Sequence, residues 1–222
     1  MNGIILLDKP AGISSAGAVN SVKRVLPRKT KIGHAGTLDP FATGLLVLLV
    51  GNATKRCEAL MNQPKQYVTT VRFGATTETD DPESVPQPVE GASPPTMELV
   101  QEALKRFIGN IEQIPPAYSA LKIAGKRACD RVRRGEVVEL KPRFVRIYEI
   151  ALLAYDWPDA KLRIDCGRGT YIRAIARDLG KILGVGGYLT ELRRTRSGEF
   201  RVEDAITIEN LQREGADRYV IP

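Results

Sequence analysis

One segment constrains this 222-residue chain more than any other: Gly33 to Leu46, GHAGTLDPFATGLL. It places a single carboxylate, Asp39, on a turn bounded by glycine and proline, and the apolar run Leu45 to Val50 that follows has the length of a buried strand. A turn held between core elements can present a side chain to a ligand while its flanks keep it still. The lone histidine of the chain, His34, lies just upstream. The turn is therefore the candidate reaction site.

What surrounds it must be globular. With 43% hydrophobic and 27% charged residues the chain can bury a real core, as one large domain or two small ones. No apolar run approaches the roughly 18 residues of a membrane span, and the opening MNGIILLDKP lacks the basic lead of a signal peptide, so a cytoplasmic location is expected. Cys57, Cys129 and Cys166 are odd in number and lack metal-type spacing, which indicates neither a disulfide framework nor a metal site. Lys and Arg number 33 against 26 Asp and Glu, a formal charge of +7. The excess falls in two blocks, nine basic to three acidic residues over 122–146 and ten to four over 161–201. Such blocks fit a polyanionic partner or a solvated basic surface, and their richness in arginine favours phosphate.

Patterning predicts strands over 3–7, 31–35, 45–50, 67–73, 143–155, 162–166 and 188–196. It also predicts helices from Ser14 or Ser15 to Leu26, over 54–61, from Thr96 to a stop at Gly109, over 126–134, over 171–183 and near 207–212. Residues 76–95, acidic and Pro-rich, read as a long surface loop. A further strand is expected within 114–125. Strands and helices mix without regular alternation, which predicts an α+β class, not a doubly wound sheet. GNATK, GRGTYI and GVGG lack the context of nucleotide-binding loops, and one histidine without a nucleophile elbow argues against metal hydrolysis and acyl transfer.

In order along the chain stand GIILLDKPAGISS, GHAGTLDPFATGLL, KQYVTTVRFGATTETDD, IPPAYSALKIAGKRA, CGRGTYIRAIARDLG and LTELRRTRSGEF. Through these blocks the chain resembles the TruB family of tRNA pseudouridine synthases. The resemblance implies the pseudouridine-synthase fold, a central mixed and mainly antiparallel sheet flanked by helices, in a single catalytic domain with a basic RNA-binding insertion over 114–146. It implies an isomerase that converts uridine 55 in the T loop of tRNA to pseudouridine without cofactor or metal, acting on the T arm as a monomer.

Residue by residue, the resemblance gives Asp39 the role of nucleophile, at the ribose C1′ or in otherwise assisting cleavage of the glycosidic bond. Tyr67 would stack on the flipped base and take the C5 proton, although a core-facing strand aromatic is the competing reading. Arg173 would pair with the catalytic carboxylate, and Tyr171 would pack in the same pocket. Two residues apart, that pair cannot share a helix face unless Tyr171 lies in the turn ahead of the helix. His34 would contact the RNA, or else be a buried histidine satisfied by backbone. Leu192 matches an apolar pocket position that core burial explains equally well. Lys9 and Arg193 or Arg194 are candidate phosphate contacts, each balanced by a plain surface reading.

Three departures qualify the resemblance. Cys129-Asp130-Arg131-Val132 replaces the Tyr-Glu-Tyr-Ala frequent in the basic insertion, which removes its aromatic RNA contacts. Ala16 stands where a polar residue is common. The expectation is also a short form without the C-terminal PUA-type RNA-binding domain. The alternatives are a non-catalytic RNA-binding or tRNA-folding module, and the same reaction on another RNA.

Overall fold

The computed structural model describes every residue except Ala120, Ala124, Gly125, Arg133 and Val137, and the backbone alone of Lys122, Ile123, Lys126, Arg127 and Cys129. In chain order the elements are β1 (Gly3–Lys9), α1 (Ser15–Lys23), β2 (Ile32–His34), β3 (Thr43–Val50), α2 (Cys57–Met61), β4 (Lys65–Phe73), β5 (Ala75–Thr76), β6 (Gln87–Pro88), α3 (Met97–Lys105) and β7 (Gly109–Gln113). There follow β8 (Lys122–Ile123), β9 (Lys126–Arg127), α4 (Ala128–Val132), β10 (Arg143–Asp156), β11 (Asp159–Cys166), α5 (Ile172–Leu183), β12 (Gly187–Ser197), β13 (Phe200–Arg201), β14 (Ile206–Thr207) and α6 (Ile208–Glu214). The chain divides into two compact units, Met1–Val68 with Glu191–Pro222, and Thr69–Thr190. Strands β4 and β12 contribute residues to both.

In the first unit the strand order is β14-β1-β3-β12-β4, with β2 on β3 and β13 on β12. Pairing is mixed: β1–β3, β2–β3 and β12–β13 are antiparallel, whereas β1–β14 and β12–β3 are parallel. Strand β3, TGLLVLLV, is buried at every position after the first, so its continuous apolar run reflects cover on both faces. One face carries Ile4, Leu6, Leu45, Val47 and Leu49 against Val202, with Leu60, Met61 and Phe200 at its margin.

In the second unit the order is β12-β4-β11-β10-β7, and β10 runs antiparallel to both neighbours. Helix α5 buries Ile172, Ala174, Ile175, Ala176 and Leu179. Gly180 is required where it stands: a Cβ there would lie 2.2 Å from the Gly186 carbonyl carbon, so only glycine lets the helix approach the start of β12. Phe73 stacks on Trp157 at 6.3 Å and meets Tyr155 edge-on at 6.4 Å, closing the other end of that core.

The expected α+β class holds. Differences are local and have physical reasons. Helix α1 stops at Lys23, not Leu26, after starting on Ser14, whose Oγ accepts from Gly17 N at 3.0 Å. The region predicted as one helix over 54–61 begins as a 3-10 turn, Gly51–Arg56, before α2. Lys126 and Arg127, predicted to open a helix, instead pair with β8, and the helix is the shorter α4. The stretch read as an acidic surface excursion is exposed from Glu83 onward except at Ser84, Val89, Ala92 and Pro95, yet it starts inside: Asp81 is 2% exposed and Asp80 9%. Guanidinium groups of α5 meet those carboxylates, which composition alone could not reveal.

Candidate active site

The candidate turn belongs wholly to the first unit. Asp39 is half-buried between β2 and β3, and the chain around it is held at several points. Ser15, the first residue of α1 and 2% exposed, clasps Leu38 in both directions, accepting from its N–H at 2.8 Å and donating to its carbonyl at 2.9 Å. The ammonium of Lys9 is enclosed completely and donates to the carbonyls of Pro10 (2.8 Å), Ile13 (2.7 Å) and Pro40 (3.2 Å). Gly12 N adds a bond to Pro40 O at 2.9 Å. Lys9 was expected at a phosphate; its burial points instead to a role in shaping the turn. A buried ammonium is tolerable there because several carbonyls replace its water.

Arg194 holds the same turn from β12. It is 1% exposed and donates from Nε to Leu45 O (2.7 Å), from one Nη to Thr37 O (3.4 Å) and from the other to Gly36 O (3.2 Å). Its backbone pairs in parallel register with Gly44. That glycine has φ +97°, and a Cβ on it would lie 2.3 Å from the Arg194 carbonyl oxygen, so no other residue fits. The expectation that Arg193 or Arg194 faces phosphate thus divides. Arg193, on the opposite face of the strand, keeps partial exposure and grips Asp8 in a two-pronged pair at 3.0 and 2.8 Å.

His34, half-buried at the end of β2, has its pKa lowered from the ordinary imidazole value, chiefly by burial and then by the charge of Arg194, against a raising hydrogen bond to the Gly36 backbone. It is therefore neutral at pH 7. Among the described residues its Nδ1 has no hydrogen-bond partner, and its carbonyl receives a contact from the Cys57 thiol at 3.6 Å. Leu192 is 6% exposed and lies in the core. Tyr67 shares strand parity with the buried Lys65, Thr69, Val71 and Phe73 but is itself half-buried, so it stands where the cover over that face thins.

Arg173 belongs to the second unit, as the second residue of α5. It is 3% exposed, and one Nη donates to Asp81 Oδ2 (2.9 Å) and to Thr79 O (2.8 Å), while the other donates to Tyr118 O (2.9 Å). Asp81 is fixed in turn by Thr79 Oγ1 at 2.5 Å and Glu83 N at 3.0 Å. One turn of helix later, Arg177 meets Asp80 at 3.1 Å and the Ile114 carbonyl at 2.9 Å. Asp80 takes φ +58°, a left-handed conformation that Asp tolerates better than most residues. Burial pushes its pKa up to about 6, outweighing the lowering charges of Arg177 and Arg173. Asp80 and Asp81 are partners of these arginines that sequence reasoning missed. The available signal was an acidic pair embedded in threonines, TTETDD, within a matched block.

Tyr171 has extended backbone, φ −98° and ψ 111°, immediately before α5. That resolves the spacing difficulty, because it precedes the helix and need not share a face with Arg173. Gln113 secures it with a reciprocal amide pair, accepting from Tyr171 N at 2.8 Å and donating to Tyr171 O at 3.0 Å. The Arg143 guanidinium lies 4.6 Å from the ring centroid, and Arg143 also donates to the Gly169 carbonyl. In the basic insertion, Arg131 pairs with Glu136 at 2.5 Å. The RNA contacts expected of residues 122–127 and of Cys129 lie outside the described side chains.

Two family models match consecutive stretches of the chain. Residues 23–172 match the profile described as TruB family pseudouridylate synthase (N terminal domain), and residues 173–219 match the tRNA pseudouridylate synthase B C-terminal domain. The chain is 47% identical to the tRNA pseudouridine synthase B of Phocaeicola vulgatus over 213 residues, 94% of this chain and 91% of that relative. To the protein of the same name from Corynebacterium diphtheriae it is 46% identical over 220 residues, 95% of this chain and 72% of the relative. Among solved structures, a chain in the crystal structure of a Cbf5-Nop10-Gar1 complex superposes with a TM-score of 0.72 at 32% identity. The match covers 94% of this chain and 53% of that one, so the present chain spans about half its length.

Proposed function

The chain belongs to the TruB family of pseudouridylate synthases, and from that premise we propose that it isomerises uridine 55 in the T loop of tRNA, with Asp39 as the nucleophile. In this reading the target nucleotide leaves the stack of the T arm, at a cost of a few kcal/mol that backbone contacts and stacking in the pocket offset. The Asp39 carboxylate then meets the positive charge developing at C1′ as the N1–C1′ bond breaks. The uracil turns, the C5–C1′ bond forms, C5 loses a proton and N1 gains one. Any bond from Asp39 to C1′ breaks again as C5 bonds to C1′, and the proton that Tyr67 takes from C5 balances the one N1 gains from solvent. The net reaction is therefore an isomerisation that needs no oxidant or reductant.

Tyr67 stacks on the base and receives the C5 proton in this scheme, and Arg173 steadies the reacting carboxylate. Asp81 then serves Arg173 as a positioning residue, because its carboxylate and two main-chain carbonyls fix the direction of the guanidinium. Tyr171, held by Gln113 ahead of α5, packs in the same pocket in this reading. His34, neutral at pH 7, can meet RNA without adding charge. The basic stretches supply the salt-dependent part of the affinity.

The single observation that carries the reading is the turn itself: a half-buried carboxylate on a loop whose main chain is pinned by Ser15, Lys9 and Arg194. The test is release of tritium from tRNA labelled at uridine C5. The wild-type chain is expected to release it and to leave pseudouridine in the T loop, while Asp39→Asn binds the same tRNA and releases none. Turnover by Asp39→Asn would remove Asp39 from the chemistry, and binding without turnover by the wild type would leave an RNA-binding module.

A further inference from the structure

We propose that Arg194 is a positioning residue for the reaction at Asp39: its enclosed guanidinium sets the shape of the catalytic turn and acts on turnover, not on RNA affinity. The inference rests on the reading of Asp39 as nucleophile and adds a residue to it.

The geometry is a bracket. Arg194 reaches Gly36 O and Thr37 O on the near side of Asp39 and Leu45 O on the far side, so one planar group ties both ends of the segment that carries the carboxylate. Arginine suits this task because its five N–H donors lie in a rigid plane, whereas a lysine ammonium is a compact point charge without a fork. The backbone of Arg194 is fixed as well, through the parallel register with Gly44 and the close approach that excludes a Cβ there. At 1% exposure the group cannot reach a phosphate.

A second feature separates Arg194 from an ordinary structural residue. Its hydrogen bonds end on neutral carbonyls, so its charge is not cancelled within the bracket and acts on what lies nearby. His34 registers it: the charge of Arg194 is the second cause, after burial, of the lowered histidine pKa. The same cation is bonded to the loop that carries the Asp39 carboxylate.

The test uses the full chain carrying Arg194→Lys or Arg194→Met, with single-turnover tritium release from C5-labelled tRNA, separately measured tRNA binding, and NMR titration of the lone histidine. Arg194→Met is expected to slow turnover about 100-fold, the scale for a misplaced reacting group, with Kd changed by less than about twofold. Arg194→Lys, which keeps the charge and loses the fork, should recover part of that rate. His34 should titrate below about 6.5 in the wild type, move up in Arg194→Met and stay low in Arg194→Lys. Wild-type turnover by folded Arg194→Met, or a loss confined to Kd, overturns the proposal. If Arg194→Met does not fold, two results still overturn it: unaltered turnover by Arg194→Lys, and a wild-type His34 that titrates at or above about 6.5. Activity in Asp39→Asn would instead defeat the reading of the turn itself. An inactive Asp39→Asn beside an unimpaired Arg194→Met defeats the clamp alone.

Discussion

In the first unit the buried cations Lys9 and Arg194 donate to main-chain carbonyls, whereas in the second Arg173 and Arg177 donate to carboxylates as well as carbonyls. The two solutions serve different ends. Carbonyl oxygens belong to the chain path, so a cation that gathers them fixes the backbone, and what it holds in shape is a turn. Carboxylates belong to side chains, so a guanidinium that meets them is itself aimed, and what is held in direction is the arginine. The hydrogen bonds of the Arg194 bracket end on carbonyls, which do not titrate; the carboxylate lattice contains Asp80, whose pKa is pushed up to about 6.

The comparison breaks most sharply at the second unit's innermost pair. Arg173→Met would leave Asp81 buried at 2% exposure without its guanidinium, and urea unfolding should register a loss of about 3–5 kcal/mol. Asp81→Asn should cost less, because Arg173 keeps the carbonyls of Thr79 and Tyr118.

Next in size is a pH effect. The folded-state pKa of Asp80, about 6, exceeds the ordinary 3.8, so between those values the folded chain holds a proton that the unfolded chain releases. This stabilising contribution is fully present below about pH 4 and lost as pH rises through 6, at most about 3 kcal/mol in all. Comparing the wild type with Asp80→Asn across that window isolates it, since Asn tolerates the left-handed backbone. The wild type should lose stability relative to the variant as pH rises, and a constant difference would show that Asp80 does not titrate there.

In the first unit, Lys9→Met removes the buried donor from three main-chain carbonyls, for an expected loss of about 1–3 kcal/mol by the same unfolding measurement. The smallest effect is expected outside both devices. Arg193→Ala breaks a pair that is 42% exposed on the arginine side, so stability should change by less than about 1 kcal/mol, and less still at high salt.

These contrasts also mark what the sequence could tell. The turn of Asp39 was legible because glycine, proline and an apolar run are local signals, and α5 was legible because its apolar spacing is helical over several turns. Helix α2 was blurred because the segment ahead of it opens with the poor helix formers Gly51 and Asn52 and winds as a 3-10 turn first. Lys9 and Arg194 read as surface charges, since their partners are carbonyls, which every residue has and no composition reveals. Asp81 read as part of a solvated loop because its guanidinium lies 92 residues away along the chain. Burial of charge is a tertiary property, visible only once distant segments are brought together.

The order of synthesis gives the bracket around Asp39 a meaning in time. The carboxylate leaves the ribosome at position 39, and the group that squares its loop arrives at position 194. A nascent chain therefore carries the Asp39 carboxylate for most of translation before the support is in place. Any product halted short of β12 would own the proposed nucleophile and lack the frame that holds its loop.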